Sequence, residues 1–127
     1  MIDALFNQTG YQATKRLLDA TVLRQEAIAA NLANVETPGY KRVDVASDFT
    51  TALKQAVSSG DAGQISSLRP QITTDQTAVA ANRDGNTVQM ESELLAMNQN
   101  SLAHAVETQL ITGHMLKLRL AITGRPQ

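Results

Sequence analysis

From Thr87 to Ile122 the residues recur with a seven-residue period, and no other feature restricts the fold as strongly. Met90, Met97, His104, Ile111 and Leu118 make one row, and Leu94, Ser101, Thr108, Met115 and Ile122 a second, offset by four. Steps of three and four place both rows on one face of a helix. Val88, Leu95, Leu102 and Leu116 border this seam, with Gln109 its polar break. Glu93, Asn100, Glu107 and His114 fall on the opposite side, where the carboxylates are expected to be solvated. A helix of about 36 residues runs about 54 Å. A heptad sustained over five repeats predicts coiled-coil pairing. Asp84-Gly85-Asn86 supplies the turn before it, with Asn86 the expected N-cap, and Gly124 and Pro126 end it.

A second helix is predicted over residues 11–34, with Thr9 and Gly10 as start signals. Leu18, Val22, Gln25, Ala29 and Leu32 alternate at four and three, and Leu17, Leu23, Ala27, Ile28 and Ala30 widen the stripe. Small residues from Ala27 to Ala33 allow another helix to come close. The residue before a proline avoids the helical region, so the helix stops near Asn34, before Thr37. Pro38-Gly39 suits the central pair of a type II turn. Asn34 either satisfies the last carbonyls or takes a left-handed cap. Asn31 shares its face, and among the alanines its amide can bond an adjacent helix or backbone and set register.

The intervening residues 43–86 are polar, with a short helix expected around residues 47–57 and a break at Ser58-Ser59-Gly60. The remainder reads as a connector with short extended pieces, ordered against a partner or mobile. Aromatics make up only 3% of the chain, against 43% apolar residues overall, which favours helix-on-helix packing. The expected fold is therefore all-α. An N-terminal helix and turn (1–42) and a C-terminal long helix (87–127) pair as a coiled-coil-like α-hairpin, forming one domain joined by a long, largely irregular polar connector (43–86). Both helices carry more apolar face than one hairpin buries, and the surplus is expected to meet other chains.

Catalytic and ligand-binding readings find little support. His104 lies one turn from Ser101 and from Thr108, but any helix provides that spacing and no third orienting group is present. A polar layer fixing helix register is the expected role for these three residues. Glu91 and Glu107 lack the histidine of a Glu-x-x-His di-metal motif, and His114 lies on a different face from His104. No metal and no cofactor is expected. Lys41-Arg42 is a pair of bases, not a run, and reads as a solvated turn or an inter-subunit salt bridge. With a net charge of −1, nucleic-acid binding is not expected. Gly60-x-x-Gly63 is too short for a phosphate loop. The chain has no cysteine and no apolar run of the roughly 18 residues that span a bilayer. Its first residues, MIDALFNQTG, do not resemble a cleaved secretion signal.

The stretch IAANLANVETPGYKRVD closely resembles the N-terminal signature of bacterial flagellar axial proteins, with Asn31, Leu32, Ala33, Asn34, Thr37, Pro38, Gly39 and Tyr40 as matching positions. RDGNTVQMESE, then NSLAHAVETQL and a closing LKLRLAI, resemble the C-terminal part of the proximal-rod members of the basal-body rod family. The likeness covers roughly residues 20–50 and 83–122. One departure is His104, where such helices commonly carry an aromatic. The resemblance implies a non-enzymatic structural subunit of the flagellar rod in the periplasm, exported by the flagellar type III route without a cleaved signal. It implies a helical assembly with other rod subunits, a ring-to-rod adaptor and the export gate as neighbours.

The packing motif is then expected at Asn31, Leu32, Asn34, Thr37, Pro38, Gly39 and Tyr40, with Tyr40 anchoring the exit from the first helix. The C-terminal seam is expected at Met90, Leu94, Met97, His104, Ile111, Met115, Leu118 and Ile122. An isolated chain should have marginal helices that are completed on assembly. The rival reading is a helical adaptor or chaperone that binds a partner's amphipathic helix. A small helical-bundle enzyme would need convergent ionisable groups, which the face pattern does not supply.

Overall fold

The computed structural model describes residues 8–80 and 82–124. Met1–Asn7, read above for a secretion signal, and Pro126, read as a helix stop, lie outside the described residues. Helix α1 spans Thr9–Ala33. Strand β1 (Val43–Val45), helix α2 (Ser47–Ser59), helix α3 (Ala62–Ser67) and strand β2 (Ile72–Thr74) follow. Helix α4, Met90–Thr123, closes the chain. The fold is all-α in class, since each strand has three residues.

The two long helices pair, and theirs is the most extensive contact in the chain. They run antiparallel: Tyr11 near the start of α1 meets His114, and Asn31 near its end bonds Glu93. The seven-residue period holds, but the row facing α1 is not the apolar one. The buried residues of α4 are Glu93, Asn100 and Glu107, and Thr14, Thr21 and Ile28 are buried at the same spacing on α1. The apolar rows turn outward. Met90, Leu94, Met115 and Ile122 are exposed, as is His104, while Met97, Ile111 and Leu118 are half-buried. This corrects both the expected intrachain seam and the reading of Glu93 and Glu107 as solvated. The physical reason is that each polar side chain in the row finds a bonding partner on or beside α1. The expected His104 layer does not form either: Ser101 and Thr108 donate back to Met97 O and His104 O of their own helix.

An adjoining face of α1 carries the apolar core. Phe49, Leu53 and Ala56 of α2 and Ile65 of α3 pack together, with Ala13 and Ala20 of α1 against them. Gly60 ends α2 with a φ of 70°, a left-handed cap that only glycine adopts without strain. Asp61 then caps α3 by accepting from Gln64 N. Strands β1 and β2 pair antiparallel, Val43 opposite Thr74 and Val45 opposite Ile72. The connector is thus more regular than its polar texture suggests. It orders against α1 within the same chain rather than needing a partner.

Helix α4 begins at Met90, so Asn86 is not its N-cap. Asn86 is fully buried and serves the end of the other helix. Its amide nitrogen lies 2.9, 3.0 and 2.8 Å from the carbonyls of Asn34, Val35 and Thr37, which share its two hydrogens. Its oxygen accepts from Val88 N at 2.8 Å. One side chain so holds together the turn that follows α1, two of whose carbonyls, Asn34 O and Thr37 O, also accept from Thr37 N and Tyr40 N. Asn86→Ala should destabilise the chain by about 1–3 kcal/mol in urea unfolding, because the turn after α1 and Val88 N lose the partner that a fully buried amide supplies. Asn86→Asp should cost at least as much, since it sets a carboxylate against three carbonyls. Wild-type stability in either variant would exclude this role.

Candidate functional site

The chain leaves α1 through a turn that closes on itself. Asn34 takes a right-handed backbone, not the left-handed one, and its amide donates to Ala30 O at 2.8 Å. Its side-chain oxygen accepts from the Thr37 hydroxyl at 3.1 Å. Tyr40 N donates to Thr37 O across Pro38-Gly39, and Gly39 has the positive φ of 73° that a type II turn requires. Thr37, Pro38 and Gly39 are exposed, and Leu32 and Tyr40 are half-buried.

This turn pairs with the segment that leads into α4. Gly39 N donates to Asp84 O, and Thr87 N to Tyr40 O. Arg42 N donates to the Thr87 hydroxyl at 2.8 Å, and Lys41 Nζ to Gly85 O at 2.8 Å.

Asn31 is the pivot beneath the turn. It is fully buried, and it treats Val43 as a strand would treat its neighbour. The amide nitrogen donates to Val43 O at 2.8 Å and the oxygen accepts from Val43 N at 2.9 Å. The second amide hydrogen reaches Glu93 Oε2 on α4, 3.1 Å away. Glu93 is fully buried, and its other oxygen accepts from Arg42 Nε at 2.6 Å. Arg42 spends its remaining donors on Asp75 Oδ2 at 2.8 Å and Asp44 Oδ2 at 3.0 Å. Arg24 of α1 donates to the other oxygen of Asp44 at 2.9 Å. Only a planar guanidinium can fork in this way to three carboxylates, so lysine is not equivalent here.

Burial alone would lower the Arg42 pKa, but the bonds to Glu93 and Asp44 outweigh it and raise it. Burial pushes the Asp44 carboxyl up, yet Arg24, the Val45 main chain and Arg42 together hold it below the ordinary value. The Thr77 hydroxyl leads in lowering Asp75, with Arg42 adding to it.

A second polar contact lies farther along the helix pair. Asn100 donates to Thr21 O at 2.9 Å and to Gln25 Oε1 at 3.0 Å. The Thr21 hydroxyl donates to Glu107 Oε2 at 2.9 Å. Tyr11 and His114 meet edge to face, ring centres 5.9 Å apart.

The structure therefore gathers Asn31, Asn34, Thr37 and Tyr40 at one joint with Asn86, Arg42 and Glu93, and leaves the apolar rows of α4 outside it. Lys41 and Arg42 both bond within the chain, Lys41 from an exposed position to Gly85 O and Arg42 to three carboxylates. The sequence reading gave Asn86 to the start of α4, Arg42 to a solvated turn or an inter-subunit salt bridge, and Glu93 to the solvated face, and placed none of them at this joint. For Glu93 a signal existed, because Glu93, Asn100 and Glu107 keep the seven-residue period as strictly as the leucines do. Each ionic group of the joint is engaged by another, so the arrangement is a mechanical one. Among the described residues no group of three or more His, Asp or Glu side chains is placed to hold a metal ion.

Removing Arg42 would leave Glu93 charged and buried. Arg42→Ala should cost about 3–5 kcal/mol in urea unfolding, and Arg42→Lys should recover only part of it. Asp44 and Asp75 have folded values below their unfolded ones, so the folded state binds fewer protons. Their contribution is complete above the unfolded value of about 3.9 and is lost as pH falls through the lower folded values. An acid titration followed by circular dichroism should show this loss below about pH 4 in the wild type and a smaller one in Arg42→Ala, where Arg24 and Thr77 still hold the two carboxyls down.

A family model described as flagella basal body rod protein matches residues 18–41, the second half of α1 and the turn after it. The flagellar basal body rod protein FlgB of Escherichia coli (strain K12) is 32% identical, over 91% of this chain and 92% of that protein. FlgB of Borrelia hermsii is 30% identical over 84% of this chain and 90% of its own length. FlgB of Salmonella typhimurium is 30% identical over 92% of this chain and 93% of its own. These likenesses run through the turn, the connector and both long helices, and the chain belongs to the FlgB family of flagellar basal body rod proteins.

Proposed function

We propose that this chain is a structural subunit of the proximal rod of the flagellar basal body, and that it assembles by burying the outward rows of its two long helices against neighbouring subunits. The observation that carries this is the exposure of α4: Leu95 is 58%, Leu102 70%, Val106 60% and Leu116 59% exposed. Leu17 and Val22 of α1 are exposed as well. A soluble monomer rarely displays so much contiguous apolar surface without a partner for it. Burying one such leucine contributes about 1.5–3 kcal/mol, so a few per subunit suffice to hold an assembly and carry torque. Leu95, Leu102 and Leu116 share one heptad row, a geometry suited to helix partners.

On this reading the Met90, Leu94, Met97, His104, Ile111, Met115, Leu118 and Ile122 face is an assembly surface rather than an intrachain seam. The Asn31–Tyr40 joint holds the helices at the angle that presents it. The neighbours are other rod subunits, the ring-to-rod adaptor and the export gate, in the periplasmic part of the basal body. Export proceeds without a cleaved signal, and packing between subunits is heterologous and non-closing. No helix among the described residues is long and apolar enough to cross a membrane.

Leu95→Glu with Leu102→Glu should leave the helicity of the purified chain unchanged. The same pair should remove the subunit from isolated basal bodies and abolish motility. A discrete dimer whose sedimentation ignores the other rod subunits would instead favour a helical adaptor.

A further inference from the structure

We propose that the α1–α4 seam is a proton-linked clamp: a proton on Glu107 completes a hydrogen-bond chain from Glu107 through Thr21 to the Leu18 carbonyl, and the helices then grip more tightly at mildly acid than at neutral pH. The basis is a count of donors. Glu107 is only 8% exposed, and its hydrogen bond among the described residues comes from Thr21. The same hydroxyl lies 2.9 Å from Leu18 O. A hydroxyl has one hydrogen, so two acceptors compete for it. An ionised Glu107 is therefore a buried carboxylate with one shared donor, which is a costly arrangement. A protonated Glu107 donates to the Thr21 oxygen, Thr21 donates to Leu18 O, and the competition ends.

The arginines of the surrounding cleft are already committed elsewhere. Glu107 lines a cleft of about 550 Å³ between α1, β1, α2 and α4. From α1 the cleft receives Arg24, and from the β1 segment Arg42 and Asp44. Both arginines are committed to Asp44, and Arg42 also to Asp75 and Glu93. Two cations thus already answer three carboxylates. Helix α2 contributes Phe49 and Thr50, neither of which titrates. On α4 itself, exposed His104 favours the ionised form, and His114 is held against Tyr11. Burial wins over Thr21 and His104 and raises the Glu107 carboxyl above its ordinary value.

The sign of the effect follows from that direction. A folded value above the unfolded one means that the paired state binds more protons. Pairing therefore gains strength as pH falls from above the folded value to the unfolded value of about 4.3. The loss at Asp44 and Asp75 lies in a lower window and has the opposite sign.

The test is a carbon-13 NMR titration of the Glu107 carboxyl in the full chain, with amide hydrogen exchange along α1 and α4 at about pH 5 and pH 7, corrected for intrinsic rates. The Glu107 midpoint should lie above about 4.3, and seam protection should be several-fold greater at the acid pH. Glu107→Gln, whose amide donates to Thr21 at either pH, should be protected alike at both. Thr21→Val should move the Glu107 midpoint still higher, because the carboxylate loses its donor. A wild-type midpoint at or below the ordinary value overturns the clamp, as does a Glu107→Gln variant that keeps the wild-type pH dependence. Should Glu107→Gln fail to fold, the wild-type midpoint alone decides.

Discussion

Glu93 carries a charge into a fully buried position, and the packing around the joint is arranged to make that tolerable. An uncompensated carboxylate there would cost several kcal/mol. Arg42 compensates it, and Asn31 supplies the second hydrogen bond. Because Arg42 also holds Asp44 and Asp75, the same contact ties α4 to β1 and to the end of β2. Because Asn31 also holds Val43, it ties the last turn of α1 to the strand that leaves it. The joint is therefore over-determined. Moving any one of the three elements breaks bonds in the other two.

A polar interior seam has a consequence for the outside. A helix has a limited circumference, and the row at 93, 100 and 107 occupies the side that meets α1. The leucines, methionines and valines of α4 are left on the remaining arc, where no part of the described chain covers them. The apolar core is correspondingly small, centred on Phe49, Leu53, Ala56 and Ile65 and packed against Ala13 and Ala20 of α1. Helix α1 thus packs on one face against a compact apolar unit and on an adjoining face against α4, to which ionic and amide contacts join it. Such contacts specify orientation and register more than they add stability. That division suits the proposed assembly: the angle between elements is set within the chain, which leaves the exposed apolar surface open to neighbours.

Much of this was legible in the residues. The two long helices, the turn at Pro38-Gly39 and the break at Gly60 each rest on a local rule, and each stands close to where that rule puts it. What could not be read locally was the phase of α4. Periodicity says that a row faces a partner; it does not say which partner. The apolar row looked like the hairpin seam because burial of leucine is the usual driving force. The polar row was overlooked because carboxylates are usually solvated. Only the positions of Arg42, Asn31 and Thr21, brought close by the fold from distant points in the chain, show why Glu93 and Glu107 turn inward. Asn86 illustrates the same limit. Its position before a helix suggests a cap for that helix, whereas its amide binds the turn that follows the other one, some fifty residues upstream.

The absence of cysteine from the sequence makes the central claim directly measurable. A single cysteine at Leu102 and another at Asn100 report on the outward and inward faces of α4. In the isolated chain the thiol at 102 should react with a maleimide at nearly the rate of a free thiol, while the thiol at 100 is protected. In assembled rods the thiol at 102 should become protected too. The opposite pattern in the isolated chain, or a thiol at 102 that stays reactive in assembled rods, would contradict an outward apolar face that neighbouring subunits cover.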